Sequence, residues 1–291
     1  MEKETTTHWT RAKTFPGILI AVVVIGGLVF LVFAPPRDSP PPHESGAPAS
    51  APAGAAPAGE EQPAKPTDTD HPPPPTSTER QTERERMVEV IQSYGLRDAA
   101  VLDAMRAVPR HEFVPDDMQS HAYGDSPLPI GYGQTISQPY IVAEMTRQLG
   151  LKKDSKVLEV GTGSGYQAAV LRRFTPRVFT IEIIKPLAES AAKRLARLKY
   201  EGIQVRTGDG YYGWPEEAPF DAIIVTCAAG QIPPPLLKQL AAGGRMVIPV
   251  GPSYAVQSLL LVEKKADGNV RTSNLMAVRF VPLIWKDESA E

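Results

Sequence analysis

The residues best placed to do chemistry lie in the stretch KVLEVGTGSGYQAAVLRRF, which begins at Lys156. An apolar strand ending in Glu159 leads into a turn carrying Gly161, Gly163 and Gly165, and then into an amphipathic helix. Glycine at these points lets the chain turn tightly and lets backbone N–H groups approach a ligand more closely than a side chain would allow. Dinucleotide loops read G-x-G-x-x-G. Here Tyr166 holds the third glycine's place, so the loop is G-x-G-x-G and a pyrophosphate ligand is disfavoured. The next strand, Arg177 to Ile183, carries Glu182, 21 residues after Gly161, where an acidic side chain receives both ribose hydroxyls. Glu159, the glycine loop and Glu182 together read as an adenosyl site for a nucleoside without a 2'-phosphate. Alone, Glu182 would be no more than a solvated strand end.

The elements that must position this site follow along the chain. GIQVRTGDGYYGW brings Asp209 and Gly210 to another strand end, where Asp209 is either an adenine-side contact or a turn residue. APFDAIIVTCAA is a buried strand followed by the loop IPPPLL, and LLKQLAAGGRMVIPVG supplies a helix, a turn at Gly243-Gly244 and a fifth strand. Ser258 to Glu263 and Ala277 to Val281 alternate about a turn at Asp267-Gly268, which predicts an antiparallel closing pair. The predicted class is α/β, a doubly wound, mostly parallel sheet with that closing pair at its edge. Such sheets bind ligands outside the carboxyl ends of their strands, so Glu159, Glu182, Asp209 and the loop after Thr226 converge there.

The first part of the chain has another character. After a tail at residues 1–14, Phe15 to Phe33 runs for 19 positions without a charge, close to the ~20 residues a helix needs to cross a bilayer. Its length and Pro35 directly after Ala34 favour an uncleaved anchor over a signal peptide. Lys3, Arg11 and Lys13 before the span, against Arg37 after it, place the N-terminus inside and the domain outside the cytoplasm. A cytosolic nucleoside cofactor points the other way, so the side of the membrane stays open. Residues 34–78 hold 14 of the 30 prolines and read as a disordered, partly polyproline linker.

The folded domain is predicted to span residues 79–291. Met87, Val90, Ile91 and Tyr94 fall at helical spacing, with Gly95 ending the helix, and Asp98 caps a second helix that buries Val101, Leu102 and Met105. His111, beside a proline-bounded turn, reads as a packing residue. The net charge of -2 argues against nucleic acid as a partner, and the single Cys227 rules out an internal disulfide and reads as a buried core thiol. No zinc-ligand spacing, serine hydrolase elbow or G-x-x-x-x-G-K-[ST] loop occurs.

From RHEFVP at Arg110 to RFVPL at Leu283 the sequence resembles the protein-L-isoaspartate (D-aspartate) O-methyltransferases. The most specific portion is YGDSPLPIGYGQTISQPYIVAEMTRQL, from Tyr123 to Leu149, joined by VLEVGTGSGYQ, GDGYYGW and PFDAIIVTCA. The resemblance implies a Rossmann-like fold using S-adenosyl-L-methionine, which leaves as S-adenosylhomocysteine. It places Gln134, Thr135, Ile136 and Ser137 over the cofactor and the isoaspartyl carboxylate, with Ser137 at the active-site serine position. Its partners would be damaged proteins carrying isoaspartyl or D-aspartyl residues, methylated to an ester that cyclises to a succinimide. The catalytic domain itself is expected to be monomeric, which the sequence does not fix.

Without the family, Ser137 precedes Gln138-Pro139 and a helix with Ile141, Val142, Met145 and Leu149 inward, and so reads as an N-cap; both roles are compatible. Two features depart from the family: the N-terminal anchor and linker, and the ending VPLIWKDESAE, where Ile284 and Trp285 follow the shared VPL. Other readings are a methyltransferase for another acceptor and a non-catalytic nucleoside-sensing module.

Overall fold

The computed structural model describes residues 20–25, 28–33, 74 and 76–285. The chain divides into two units, Met1–Gln62 and Pro63–Glu291. In the first, strands β1 (Ile20–Ile25) and β2 (Leu28–Phe33) pair antiparallel, with Ile20 opposite Phe33. The described residues of the predicted transmembrane helix are therefore strands, not helix. No helix among the described residues is long and apolar enough to cross a membrane. The predicted tail at 1–14 and most of the 34–78 linker lie outside the described residues. The linker's last residues do not: Arg173 donates to the Pro74 carbonyl and Arg84 to that of Ser77, so the domain gathers in chain before Glu79.

The second unit opens with α1 (Gln81–Ser93) and α2 (Ala99–Ala107). In α1 the inward stripe is Arg84, Met87, Val88 and Ile91, with the i, i+3, i+4, i+7 spacing of one helical face. Val90 is turned away from that face and Tyr94 lies past the last turn; both are exposed, and the Tyr94 ring packs on Tyr140 instead. The N-cap at Asp98 forms as predicted, its side chain accepting from Val101 N at 3.0 Å. His111 is buried, with Nδ1 2.7 Å from the Tyr123 hydroxyl, in keeping with a packing role.

A short hairpin, β3 (Leu128–Gly131) and β4 (Gln134–Ile136), precedes α3 (Pro139–Leu149). The main sheet then alternates with helices through β5 (Val157–Val160), α4 (Tyr166–Leu171), β6 (Val178–Glu182), α5 (Lys185–Arg197), β7 (Ile203–Thr207), β8 (Phe220–Val225), α6 (Pro234–Gln239), β9 (Leu240–Val250), β10 (Gln257–Lys264) and β11 (Val270–Val278). Its seven strands run in the order β11-β10-β9-β8-β5-β6-β7. The five from β9 to β7 are parallel; β10 and β11 run antiparallel at the edge. β5 and β6 are buried along their whole length, as apolar strands covered on both faces must be.

Three local readings change. IPPPLL forms the start of α6, because Pro234 at the first turn needs no N–H partner there. Gly243-Gly244 lies within β9, whose pairing with β8 shifts between Phe220 and Ala222, so the extra residues are taken up inside the strand. The closing strand is Val270–Val278 and ends before Val281.

Candidate active site

After β5 the chain folds outward to β6 and β7, then returns to place β8 on the other side of β5. This reversal opens a crevice at the carboxyl ends of β5 and β8, the place where open α/β sheets bind ligands. Gly161 and Thr226, which leave those two strands, face each other across it. The Thr226 hydroxyl donates to the Gly161 carbonyl at 2.7 Å, and a Cβ built on Gly161 would stand 2.5 Å from that hydroxyl. Gly161 also adopts φ +97°, so both space and backbone exclude a side chain.

One cleft is lined by Gly161, Gly163, Glu182, Gly210, Cys227 and the segment Val281 to Ile284. Glu182 ties it together: Oε2 accepts from Gly163 N at 2.8 Å and Oε1 from Ile184 N at 3.0 Å. Each carboxylate oxygen keeps lone-pair capacity for a ribose hydroxyl. Gly210 forms part of the wall, and a Cβ there would meet Val160 Cγ1 at 2.5 Å. Asp209 does not line the cleft; its Oδ1 accepts from Tyr211 N at 2.9 Å in a turn that presents Gly210. Gly165, at φ +87°, caps α4 and lies where a Cβ would press on Leu195 of α5 at 3.3 Å. It serves helix packing rather than ligand approach, which the sequence reading did not separate.

A second recess holds Ile136, Ser137, Glu159, Thr162, Tyr166 and Gln167. Glu159 is fully buried, and among the described residues neither of its carboxylate oxygens has a hydrogen-bond partner. Burial pushes its carboxyl up to about 8; the Thr180 hydroxyl, which bonds Thr162 rather than either Glu159 oxygen, offsets part of this, and the charge of Glu182 adds to it. An orphaned buried carboxylate is costly unless a cation or donor meets it, so a positively charged group in this recess would favour its ionised form. Cys227 is buried as expected; desolvation, then the two nearby carboxylates, raise its thiol pKa, which keeps it in the thiol form.

The third space, about 390 Å³, is lined by Pro127, Ser137, Gln138, Ile141, Val256, Arg279 and Phe280. Thr135 and Thr226 line all three spaces. Ser137 is not the N-cap of α3. Gln138 holds that position without a side-chain cap bond, Pro139 follows, and Asp125 supplies the cap from outside, accepting from Tyr140 N at 3.0 Å and Gln138 Nε2 at 2.7 Å. The Ser137 hydroxyl has no hydrogen bond among the described residues and is free for a ligand. The sequence reading missed Asp125, Arg279 and the common wall of Thr135 and Thr226. The Asp-Ser-Pro turn in YGDSP was the one available signal, since Asp is a capping residue.

A family model described as Protein-L-isoaspartate(D-aspartate) O-methyltransferase (PCMT) matches residues 82–288. The chain is 62% identical over 186 residues to Protein-L-isoaspartate O-methyltransferase 2 of Syntrophobacter fumaroxidans, covering 64% of this chain and 75% of that protein. It is 60% identical over 203 residues to Protein-L-isoaspartate O-methyltransferase 1 of Nitrosospira multiformis, covering 69% and 86%. A solved protein-L-isoaspartate O-methyltransferase superposes with a TM-score of 0.63 at 32% identity, covering 68% of this chain and 65% of that one. A structure from Plasmodium falciparum, described under the same enzyme name and in complex with S-adenosyl-L-homocysteine, gives a TM-score of 0.60 at 26% identity, covering 69% and 98%.

Proposed function

This chain belongs to the protein-L-isoaspartate(D-aspartate) O-methyltransferase family, and from that premise we propose how its residues divide the work. The enzyme transfers a methyl group from S-adenosylmethionine to the free carboxylate of isoaspartyl residues in damaged proteins. The observation that carries the assignment of sites is the common wall. Thr135 and Thr226 border the nucleoside cleft, the Glu159 recess and the 390 Å³ cavity beside Ser137, so donor and acceptor meet there.

The residues present fit the cofactor. Glu182 receives the ribose hydroxyls, Gly161, Gly163 and Gly210 keep the cleft open, and Glu159 meets the cationic amino acid end. Asp209 acts through its turn, and Thr135 and Ile136 form the roof. When bound, the cofactor supplies an electrophilic sulfonium methyl. The acceptor carboxylate is ionised near neutral pH and attacks in line, so no strong base is needed and positioning supplies most of the rate. The Ser137 hydroxyl donates to the carboxylate without protonating it, and Arg279 contributes positive charge to the wall of the acceptor cavity. Incubating an isoaspartyl peptide with the protein and S-adenosylmethionine, followed by mass spectrometry, tests this: a methyl ester must form and then lose methanol to a succinimide. Cofactor binding with no peptide product would leave a nucleoside sensor.

We also propose that residues 15–33 tether the domain, as a monomer, to a membrane. The 19 uncharged positions support this. An isolated two-stranded ribbon leaves edge N–H and C=O groups unpaired in hydrocarbon, so insertion would require β1 and β2 to become helical. Carbonate-resistant pelleting of the full chain, lost on deleting residues 1–78, is the expected result; protease protection then reads the side.

A further inference from the structure

The RHEFVP motif has no part in the chemistry above, yet its first residue reaches the active site. Arg110 is fully buried, 0% exposed. Its Nε donates to the Ala122 carbonyl at 2.8 Å and its Nη2 to the Ser137 carbonyl at 2.7 Å. The guanidinium lies 4.9 Å from the centroid of the Tyr166 ring, and Nη1 has no hydrogen-bond partner among the described residues. Tyr166 opens α4 directly after the glycine loop and lines the same recess as Ser137 and Glu159.

A buried guanidinium is costly to desolvate, and its unmet N–H adds to that cost; an apolar side chain of similar volume would avoid it but would leave the Ala122 and Ser137 carbonyls without this donor. What the guanidinium provides and an apolar residue cannot is a rigid fork. One edge holds the chain before the hairpin at Ala122 and the other holds the chain after it at Ser137, while the guanidinium carbon lies over the Tyr166 ring. The β3–β4 hairpin, with its Gln134 to Ile136 roof, lies between those two anchors.

We propose that Arg110 is a positioning residue for methyl transfer: it fixes the Ser137 backbone against the start of α4, so that the Ser137 hydroxyl stands at the acceptor carboxylate in line with the donor. The inference rests on Ser137 standing at the acceptor. Arg110 touches neither cofactor nor substrate and acts only through Ser137 and Tyr166. Lysine keeps the charge but has a point donor and no plane, so it cannot span both carbonyls.

The test uses the full chain with Arg110→Lys, Arg110→Gln and Arg110→Ala, each normalised to the protein that binds S-adenosylhomocysteine. Arg110→Lys is expected to lower kcat for an isoaspartyl peptide by about 10- to 100-fold, as a misplacement of ~1 Å does, while S-adenosylhomocysteine affinity stays within about threefold. Millimolar guanidinium added to Arg110→Ala restores kcat per binding-competent molecule. Full kcat in Arg110→Lys overturns the proposal, and so does a loss of activity that only follows the loss of binding-competent protein. If no variant binds the cofactor, Arg110 is a folding residue and the proposal fails as well. Ser137→Ala separates the two readings. If it turns over normally, the placement of Ser137 at the acceptor is wrong; if it is slow while Arg110→Lys is not, only the role of Arg110 is wrong.

Discussion

Glu182 Oε2 accepts a hydrogen bond from Gly163 N at 2.8 Å, tying the end of β6 to the glycine loop that leaves β5. The same carboxylate reaches Ile184 N through its other oxygen. A group assigned to the ribose thus also fixes the loop that shapes the cleft. Glu182→Gln leaves one oxygen and replaces the other with donors that face a backbone N–H. Losing a charge-assisted hydrogen bond costs about 1.5–3 kcal/mol, so calorimetry should show S-adenosylhomocysteine binding about 10- to 100-fold more weakly.

Gly161→Ala sets a Cβ 2.5 Å from Thr226 Oγ1 at a backbone φ of +97°. Gly268, at φ +84°, has nothing within 4 Å of its Cβ position. Both alanine variants bear the strain of an unfavourable φ, of order 1–3 kcal/mol, but only Gly161→Ala also collides with the site. Gly161→Ala should therefore lose cofactor binding as well as melting temperature, and Gly268→Ala melting temperature alone.

Glu159 gives a pH dependence. Its folded pKa of about 8 lies above the ordinary 4.5, so the folded protein holds this proton more tightly than the unfolded chain does. Stability from this group is full below about 4.5 and falls as pH rises through about 8. Melting temperatures of the cofactor-free protein should decline over that window, and Glu159→Gln should flatten the decline. A cation bound beside Glu159 favours the ionised carboxylate, so cofactor binding below pH 8 should release a proton. Calorimetry in two buffers of different ionisation enthalpy measures that release.

Ser137→Ala removes a hydroxyl with no hydrogen bond among the described residues and no capping duty, so melting should stay within ~1 °C, as for substitutions without a structural role. Its kcat should fall about 10- to 100-fold if one hydrogen bond to the acceptor is lost in the transition state. Asp125→Ala should show the reverse emphasis: it uncaps α3 and costs ~1 kcal/mol of stability, read from a denaturant midpoint, with a smaller effect on kcat.

The local signals were legible where one interaction decides the structure. The glycine loop, the Asp98 cap, the apolar strand before the loop, and the strand-end placement of Glu182 all follow from nearest-neighbour chemistry, and the structure shows each of them. What the sequence did not disclose depends on distant chain. Ser137 looks like a cap because a serine before Gln-Pro usually is one, but Asp125 reaches Tyr140 N from outside the helix and relieves it of that duty. Gly165 looks like its two neighbours in the loop, yet its missing side chain makes room for Leu195. Val90 and Tyr94 fit a helical period, but Arg84 takes the inward position because its guanidinium donates to the Arg106 and Ser77 carbonyls.

The most direct measurement is transfer of labelled methyl by the full chain to two synthetic peptides that differ only in one isoaspartyl or one normal aspartyl linkage. Base-labile label on the isoaspartyl peptide alone is the expected result if, as proposed, the cavity beside Ser137 receives a carboxylate carried on a rerouted backbone. Equal labelling of both peptides, or none on either while S-adenosylmethionine binds, would contradict the assignment of the acceptor.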